Sequence, residues 1–323
     1  MRAMRAEAFE GYQHLRLADL PKPEAAAGRL LVKLAAAGVT PLEHTILSGG
    51  IARVKAPLVL GIEGAGVVES SGDADFPAGS RVMFTGLYGF AEGGTFSEWV
   101  AVRKADMVLI PDGLDPVSAA GVPVAYLTAQ TALAAAGFAA GKTVLAPAIG
   151  GSVGNAVTQL ARALGAKHAI STTSSSAKAA RAAALGFGEV IDLSRETLVE
   201  GVARIAKGGG VDVVIDGVGG AVLSDALKTL AIGGSLTTLG YAGSRQATID
   251  VTDLIWKRAG IKSFSLYAQP PEAIQAAWNT LLPLFAAGTL KALVAKTFAL
   301  EQAAEGLRYL VEERPFGRVV LTF

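Results

Sequence analysis

The chain has 323 residues, and because single hydrophobic cores stop growing near about 250–300 residues, two domains are expected. Its 51% apolar and 18% charged residues, with 39 glycines, exclude a disordered or fibrous protein and suit a compact one rich in tight turns. The 29 basic residues nearly balance 28 acidic ones, and there is no cysteine. That excludes a general attraction to nucleic acid or anionic membrane, together with disulfides, thiolate nucleophiles and cysteine-containing zinc cages.

In chain order, Met1 to Glu10 carries Arg2, Arg5 and Glu7 without an apolar centre, so it does not read as a secretory signal and a cytoplasmic protein is expected. Short β-branched runs follow at Leu30 to Leu34, Val67 to Glu69, Arg81 to Phe84 and Thr95 to Val102, punctuated by Gly and Pro. They predict an irregular, mostly β region. Pro116 to Gly141 holds no charged residue and is long enough to span a bilayer. Pro123, Thr128, Gln130 and Thr131 within it argue instead for a buried helical stretch leading into a nucleotide domain.

From about Pro123 the pattern changes. Apolar strand-like runs at Thr143 to Ala146, His168 to Ser171, Val190 to Leu193, Val211 to Asp216 and Ser235 to Leu239 alternate with helical segments at Val153 to Leu164, Ser176 to Leu185 and Ala221 to Leu230. This βαβ rhythm predicts an α/β domain with a parallel, doubly wound sheet. After Leu254 the pattern loosens, gives an amphipathic helix near Glu272 to Ala287, and ends in the strand-like Gly317 to Phe323, which is expected to return to the first domain.

The first of these strands runs into Ala148-Ile149-Gly150-Gly151-Ser152-Val153-Gly154 and then a helix. Where a chain turns sharply to bring its backbone and a helix N-terminus against a pyrophosphate, small residues are required at fixed points, and Ala148, Gly151 and Gly154 occupy them. At the end of the second strand an Asp or Glu would bind the ribose 2′-hydroxyl of NAD. No acid stands there. The segment Ser171-Thr172-Thr173-Ser174-Ser175-Ser176-Ala177-Lys178 supplies hydroxyls and then a cation, which suits a 2′-phosphate and therefore NADPH. The same serines also read as a helix cap.

These motifs stand in a fixed order with Gly38-Val39-Thr40-Pro41-Leu42-Glu43, Gly61-Ile62-Glu63-Gly64-Ala65-Gly66-Val67-Val68, Gly79-Ser80-Arg81-Val82, Leu127-Thr128-Ala129, Gly233-Gly234 and Gly317-Arg318-Val319-Val320-Leu321. The whole resembles the zinc-free quinone oxidoreductase group, zeta-crystallin-like, of the medium-chain dehydrogenases/reductases. The resemblance implies a GroES-like catalytic domain over 1–120, a Rossmann NADPH-binding domain over 121–258, a return to the catalytic domain over 259–323, and a catalytic cleft where the two domains meet. It also implies a homodimer formed through Rossmann sheet edges. By it Lys178 matches a cofactor-phosphate lysine and Ser174 the small residue four positions earlier. Val218, Gly240 and Tyr241 match loops lining the cofactor, and Thr128 matches a threonine near the nicotinamide. Leu193 stands where a tyrosine is common.

Zinc-containing relatives carry Cys where Thr40 stands and His where Ile62 stands, so no metal site is expected. Glu43, His44 and Glu63 lack ligand spacing. Without a Lewis acid, hydride transfer to a quinone, enone or 2-alkenal remains feasible, since such acceptors delocalise the incoming charge and positioning carries most of the work. Thr40 is a candidate donor to the carboxamide or the acceptor oxygen, or else a turn residue before Pro41. Tyr88, Tyr126, Tyr241 and Tyr267 are candidate proton donors. Two alternatives stay open: an enoyl-thioester reductase, although Gly50-Ile51-Ala52-Arg53 lacks the tyrosine such enzymes use, and a non-catalytic NADPH-binding protein.

Overall fold

The structure, a computed structural model, describes all 323 residues. The chain divides into two compact units, Met1–Val124 with Ala292–Phe323, and Ala125–Lys291.

The first unit opens with β1 (Arg2–Ala6), β2 (Leu15–Asp19), β3 (Arg29–Val39), α1 (Pro41–Leu47), β4 (Leu58–Val59), β5 (Glu63–Ser70), β6 (Arg81–Thr85), β7 (Trp99–Arg103), β8 (Met107–Leu109) and α2 (Pro116–Ala120). β3 extends well past the expected Leu34. Its second half, Ala35-Ala36-Ala37-Gly38, has poor intrinsic strand preference. It is held by long-range pairing, with Ala36, Ala37, Gly38 and Val39 facing the C-terminal segment 319–322 in antiparallel register. Thr95 to Glu98 stay outside the main ladder because Thr95 and Phe96 donate their N–H groups to Gly61 and Leu60, while the Phe96 carbonyl accepts from Met4.

The second unit takes α3 (Pro123–Ala135) as its entry, then β9 (Thr143–Ala146), α4 (Ser152–Ala163), β10 (His168–Thr173), α5 (Ser176–Ala184), β11 (Val190–Asp192), α6 (Leu198–Ala206), β12 (Val211–Asp216), α7 (Gly220–Thr229), β13 (Leu230–Thr238), α8 (Val251–Lys257), β14 (Gly260–Ser263) and α9 (Pro271–Ala286). Its sheet is parallel throughout, in the order β11-β10-β9-β12-β13-β14. That is the doubly wound order, with the strand sequence reversing direction at β9 and β12. Leu145, Ile170, Ile191, Val214 and Leu236, one from each of five neighbouring strands, pack against Leu198 and Val202 of α6 and Leu223 and Leu227 of α7. Strands covered by helices bury both faces, which explains their uninterrupted apolar runs.

The chain returns through β15 (Val294–Ala299), α10 (Ala303–Glu312) and β16 (Arg318–Thr322). β16 pairs antiparallel with β3 and parallel with β15, and Val319 and Leu321 join Ala37, Val39, Phe298 and Leu307 in one core. The return begins at Ala292, not at 259 where the sequence alone places it. β14 hydrogen-bonds along β13 as the sixth strand, and residues up to Lys291 stay with the second unit. No helix is long and apolar enough to cross a membrane. The apolar stretch 116–141 is broken at Gly121 into α2 and α3.

Candidate functional site

The strand ends of the second unit set the geometry. β9 stops at Ala146, and Ala148 takes a left-handed backbone with φ 65°, which costs an L-residue about 1–2 kcal/mol. The turn is fixed by the end of β10: Ala148 N–H donates to the Thr172 hydroxyl at 3.1 Å and Ile149 N–H to the Thr172 carbonyl at 2.8 Å. Gly151 is the N-cap of α4 and has no side-chain cap hydrogen bond. Ser152, Val153 and Gly154 form the first turn, where the backbone N–H groups point along the helix axis toward its N-terminus. A side chain at Gly154 would run into the carbonyl oxygens of Pro147 and Ala148, so only glycine lets the helix start this close to the strand. The arrangement is a backbone anion cradle at a helix N-terminus.

Beside it, β10 ends at Thr173 and the exposed Ser174 leads into α5. Ser175 is the N-cap, its hydroxyl accepting from Lys178 N–H at 3.5 Å, and the Ser176 hydroxyl donates to Asp192 at 2.5 Å. Ser175 therefore caps and Ser176 anchors, while Lys178 lies half-buried on the first turn of α5. Further along the sheet, buried Asp216 accepts hydrogen bonds from Val218 N–H at 2.9 Å and Gly219 N–H at 3.0 Å. Burial pushes its carboxyl up, and those two N–H groups oppose the shift. The Val218 loop is tied to the loop after β13: Gly243 N–H donates to the Val218 carbonyl at 2.8 Å, and a side chain at Gly240 would run into Gly217. Tyr241, 50% exposed, has the Arg245 guanidinium 5.1 Å from its ring centre.

The fold thus brings Ala148, Gly151, Ser152, Val153, Gly154, Ser174, Lys178, Val218, Gly240 and Tyr241 to loops at the carboxyl ends of adjacent parallel strands, the ligand-binding edge of open α/β sheets. Thr128 is buried on α3 of the same unit. Thr172 and Asp216, which fix the backbone from behind, carry no signal in a sequence pattern.

Thr40 lies in the first unit and caps α1. Its hydroxyl accepts from Leu42 N–H at 3.1 Å and donates to Glu43, while Glu43 also accepts from Thr40 N–H at 2.8 Å and Ile62 N–H at 3.2 Å. With its only hydroxyl hydrogen given to Glu43, Thr40 takes the turn role and not that of a donor to an acceptor oxygen. Glu43 is fully buried, and burial pushes its carboxyl up against the hydrogen bonds from Thr40. Next to it, Glu63 accepts from Val124 N–H at 2.7 Å and forms a fully buried ion pair with Arg318. Burial lowers the Arg318 guanidinium to about 10, which still leaves it charged at neutral pH. Gly38 has no side chain because one would occupy the place of the Glu63 carboxylate.

His44 is turned away from this pair, its Nδ1 at 2.8 Å from the Tyr12 hydroxyl, and no group of three or more His, Cys, Asp or Glu side chains comes together to hold a metal. Ile62 is a buried hydrocarbon. The donor set does not fit a zinc ion. Two of the candidate tyrosines are committed internally: Tyr88 donates to Asp106 at 2.6 Å and Tyr126 to the Lys291 carbonyl at 2.8 Å, and burial raises both phenols. Tyr241 and Tyr267 keep exposed rings.

Comparison with known proteins agrees with this geometry. Residues 26–112 match the family model described as an alcohol dehydrogenase GroES-like domain, and residues 152–287 match that of a zinc-binding dehydrogenase. A quinone oxidoreductase of Rattus norvegicus is 30% identical over 99% of this chain and 97% of its own. The spectinabilin polyketide synthase system protein NorB of Streptomyces orinoci is 35% identical over 94% of this chain, which spans only 14% of that protein's length. Among solved structures, an NAD-dependent alcohol dehydrogenase superposes with a TM-score of 0.90 at 29% identity, covering both chains completely. The quinone oxidoreductase of Thermus thermophilus, solved also in complex with NADPH, gives 0.86 at 31% identity with both chains covered completely. The fold class read from the sequence is the observed one, and the chain belongs to the quinone oxidoreductase family of the medium-chain dehydrogenases/reductases.

Proposed function

We propose that this oxidoreductase uses NADPH to reduce quinones or other conjugated carbonyl acceptors, such as enones and 2-alkenals, without zinc. The carrying observation is the cradle: a helix whose N-cap, Gly151, brings no side chain to its N-terminus, a glycine at 154 that admits no side chain, and beside it a hydroxyl-and-lysine loop with no acid at the end of β10. Backbone N–H groups of Ser152, Val153 and Gly154 hold the pyrophosphate, with Ala148 and Gly151 giving it access. Ser174 and Lys178 hold the 2′-phosphate, and Val218, Gly240 and Tyr241 line the nicotinamide half. Bound there, the dihydronicotinamide supplies a hydride.

The chain's own contribution is positioning. Hydrogen bonds from Val218 N–H to Asp216 and from Gly243 N–H to the Val218 carbonyl hold the loop against which the reacting ring is to be oriented, with Thr128 of α3 as a further positioning residue. Orienting two reactants in a water-poor site is worth several orders of magnitude in rate, and a conjugated acceptor spreads the negative charge that a metal would otherwise have to stabilise. The zinc-independent part of the reading is supported by Thr40, whose oxygen serves α1, by Ile62, and by the absence of cysteine.

A second reading, reduction of an enoyl thioester, is supported by the similarity to a stretch of a polyketide synthase. We also propose a homodimer. β14 has a partner only on its β13 side, all four of its residues are exposed, and α8 beside it presents Val251, Ile255 and Trp256, the last 79% exposed. A strand edge and apolar side chains of this kind call for a covering surface.

The test is reduction of an enone with NADPH deuterated at the transferring C4 position. Deuterium at the carbon β to the carbonyl supports hydride transfer to a conjugated acceptor. Consumption of NADPH without deuterium in the product contradicts it.

A further inference from the structure

The loop that follows β11 is fastened to the loop that follows β10. Leu193 N–H donates to the Thr173 carbonyl at 2.8 Å, the Ser176 hydroxyl donates to Asp192 at 2.5 Å, and Ser176 and Ser194 hydroxyls lie 3.1 Å apart. Asp192 is also filled from its own side, accepting from Ser194 N–H at 3.0 Å and the Ser194 hydroxyl at 2.6 Å. Hydrogen bonds from Ser176 and then Ser194 hold its carboxyl below the usual range. A carboxylate saturated in this way has little left to offer a ribose hydroxyl. It holds a tight turn in which Arg195 N–H donates to the Asp192 carbonyl at 2.9 Å. Arg195 itself is bound loosely: its Nε lies 3.6 Å from the Asp192 carboxylate and its side chain is 78% exposed.

We infer that Arg195 is a specificity-determining residue for the cofactor, a second cation that pairs with the adenosine 2′-phosphate opposite Lys178. This rests on the NADPH reading above and deepens it. The two loops leave neighbouring parallel strands, with Thr173 and Asp192 in register, so Arg195 is carried to the same carboxyl-end crevice as Ser174 and Lys178. A guanidinium can grip two oxygens of a phosphate at once, where an ammonium acts as a point charge. Asp192 is the resting partner of that guanidinium. Because Ser176 and Ser194 already serve the carboxylate, releasing Arg195 to a phosphate leaves no buried charge uncompensated.

The experiment measures dissociation constants of NADPH, NADH and 2′,5′-ADP for the unaltered protein, Arg195→Gln and Arg195→Lys. Arg195→Gln is expected to weaken NADPH and 2′,5′-ADP about tenfold and to leave NADH within twofold, and Arg195→Lys to restore part of the loss. Unchanged NADPH binding in Arg195→Gln, or an equal loss for NADH, overturns the assignment of Arg195. A different result overturns the NADPH reading itself: an unaltered protein that binds NADH as tightly as NADPH and does not bind 2′,5′-ADP. The unchanged NADH affinity also reports that the variants fold.

Discussion

At the scale of single residues, Ala148 and the pair Glu63–Arg318 show how backbone and charge constraints are met. Ala148 sits at a left-handed φ of 65° where glycine would cost less, so Ala148→Gly is expected to stabilise the protein by about 1 kcal/mol, read as a shifted urea midpoint with unchanged slope. The cost is tolerated because Thr172 holds the turn from behind. Glu63 and Arg318 present the opposite case, a pair in which each charge depends on the other for its burial. Glu63→Gln should lose about 3–5 kcal/mol, since it leaves the guanidinium facing a neutral amide and the neighbouring Glu43. A loss under about 1 kcal/mol would show that Glu43 takes over as counter-ion. The sequence shows Glu63 only as an acid in a glycine-rich run and Arg318 only as an arginine near the C-terminus. Their meeting is created by β5, β3 and β16 lying side by side, a non-local event that no local pattern encodes.

Among elements, legibility follows burial and residue type. The limits of β9 and β12, Thr143–Ala146 and Val211–Asp216, are the ones their residues predict, because strands covered on both faces read as unbroken apolar runs closed by turn residues. β14 leaves no trace: Gly260, Ile261, Lys262 and Ser263 are all exposed, and only register with β13 makes them a strand. The cradle is legible because its glycines answer to close backbone approach. The seams that hold it, Thr172 and Asp216, are not, since a hydroxyl or carboxylate gives no hint of which loop it will reach. Ser175 is a cap and Ser176 an anchor, so in the proposed reading Ser174 and the cation Lys178 provide the selectivity. Lys178→Ala is accordingly expected to weaken NADPH by about tenfold or more and NADH by less than threefold, measured by nicotinamide fluorescence. Equal losses for both would move Lys178 from the 2′-phosphate to a general support of α5.

For the whole molecule, the two ends of the chain build one unit because β16 completes the sheet begun by β3, while the middle builds the parallel sheet whose strand ends carry the candidate site. The exposed surface of α8 and β14 bears on assembly. Trp256→Glu places a charge in the proposed dimer contact and should yield a monomer by sedimentation at micromolar concentration, with NADPH affinity retained because the cradle lies on other loops. A dimer that survives this change would move the interface elsewhere.

Zinc-free reduction of conjugated acceptors is tested most directly by following NADPH oxidation against a benzoquinone, an enone, a 2-alkenal, a crotonyl thioester and a simple alcohol–ketone pair, with and without a strong zinc chelator, and repeating it with NADH. Turnover of the conjugated acceptors with NADPH in preference to NADH is expected, at rates the chelator leaves unchanged. Chelator-sensitive interconversion of the simple alcohol and ketone, with no reduction of the conjugated acceptors, would contradict it.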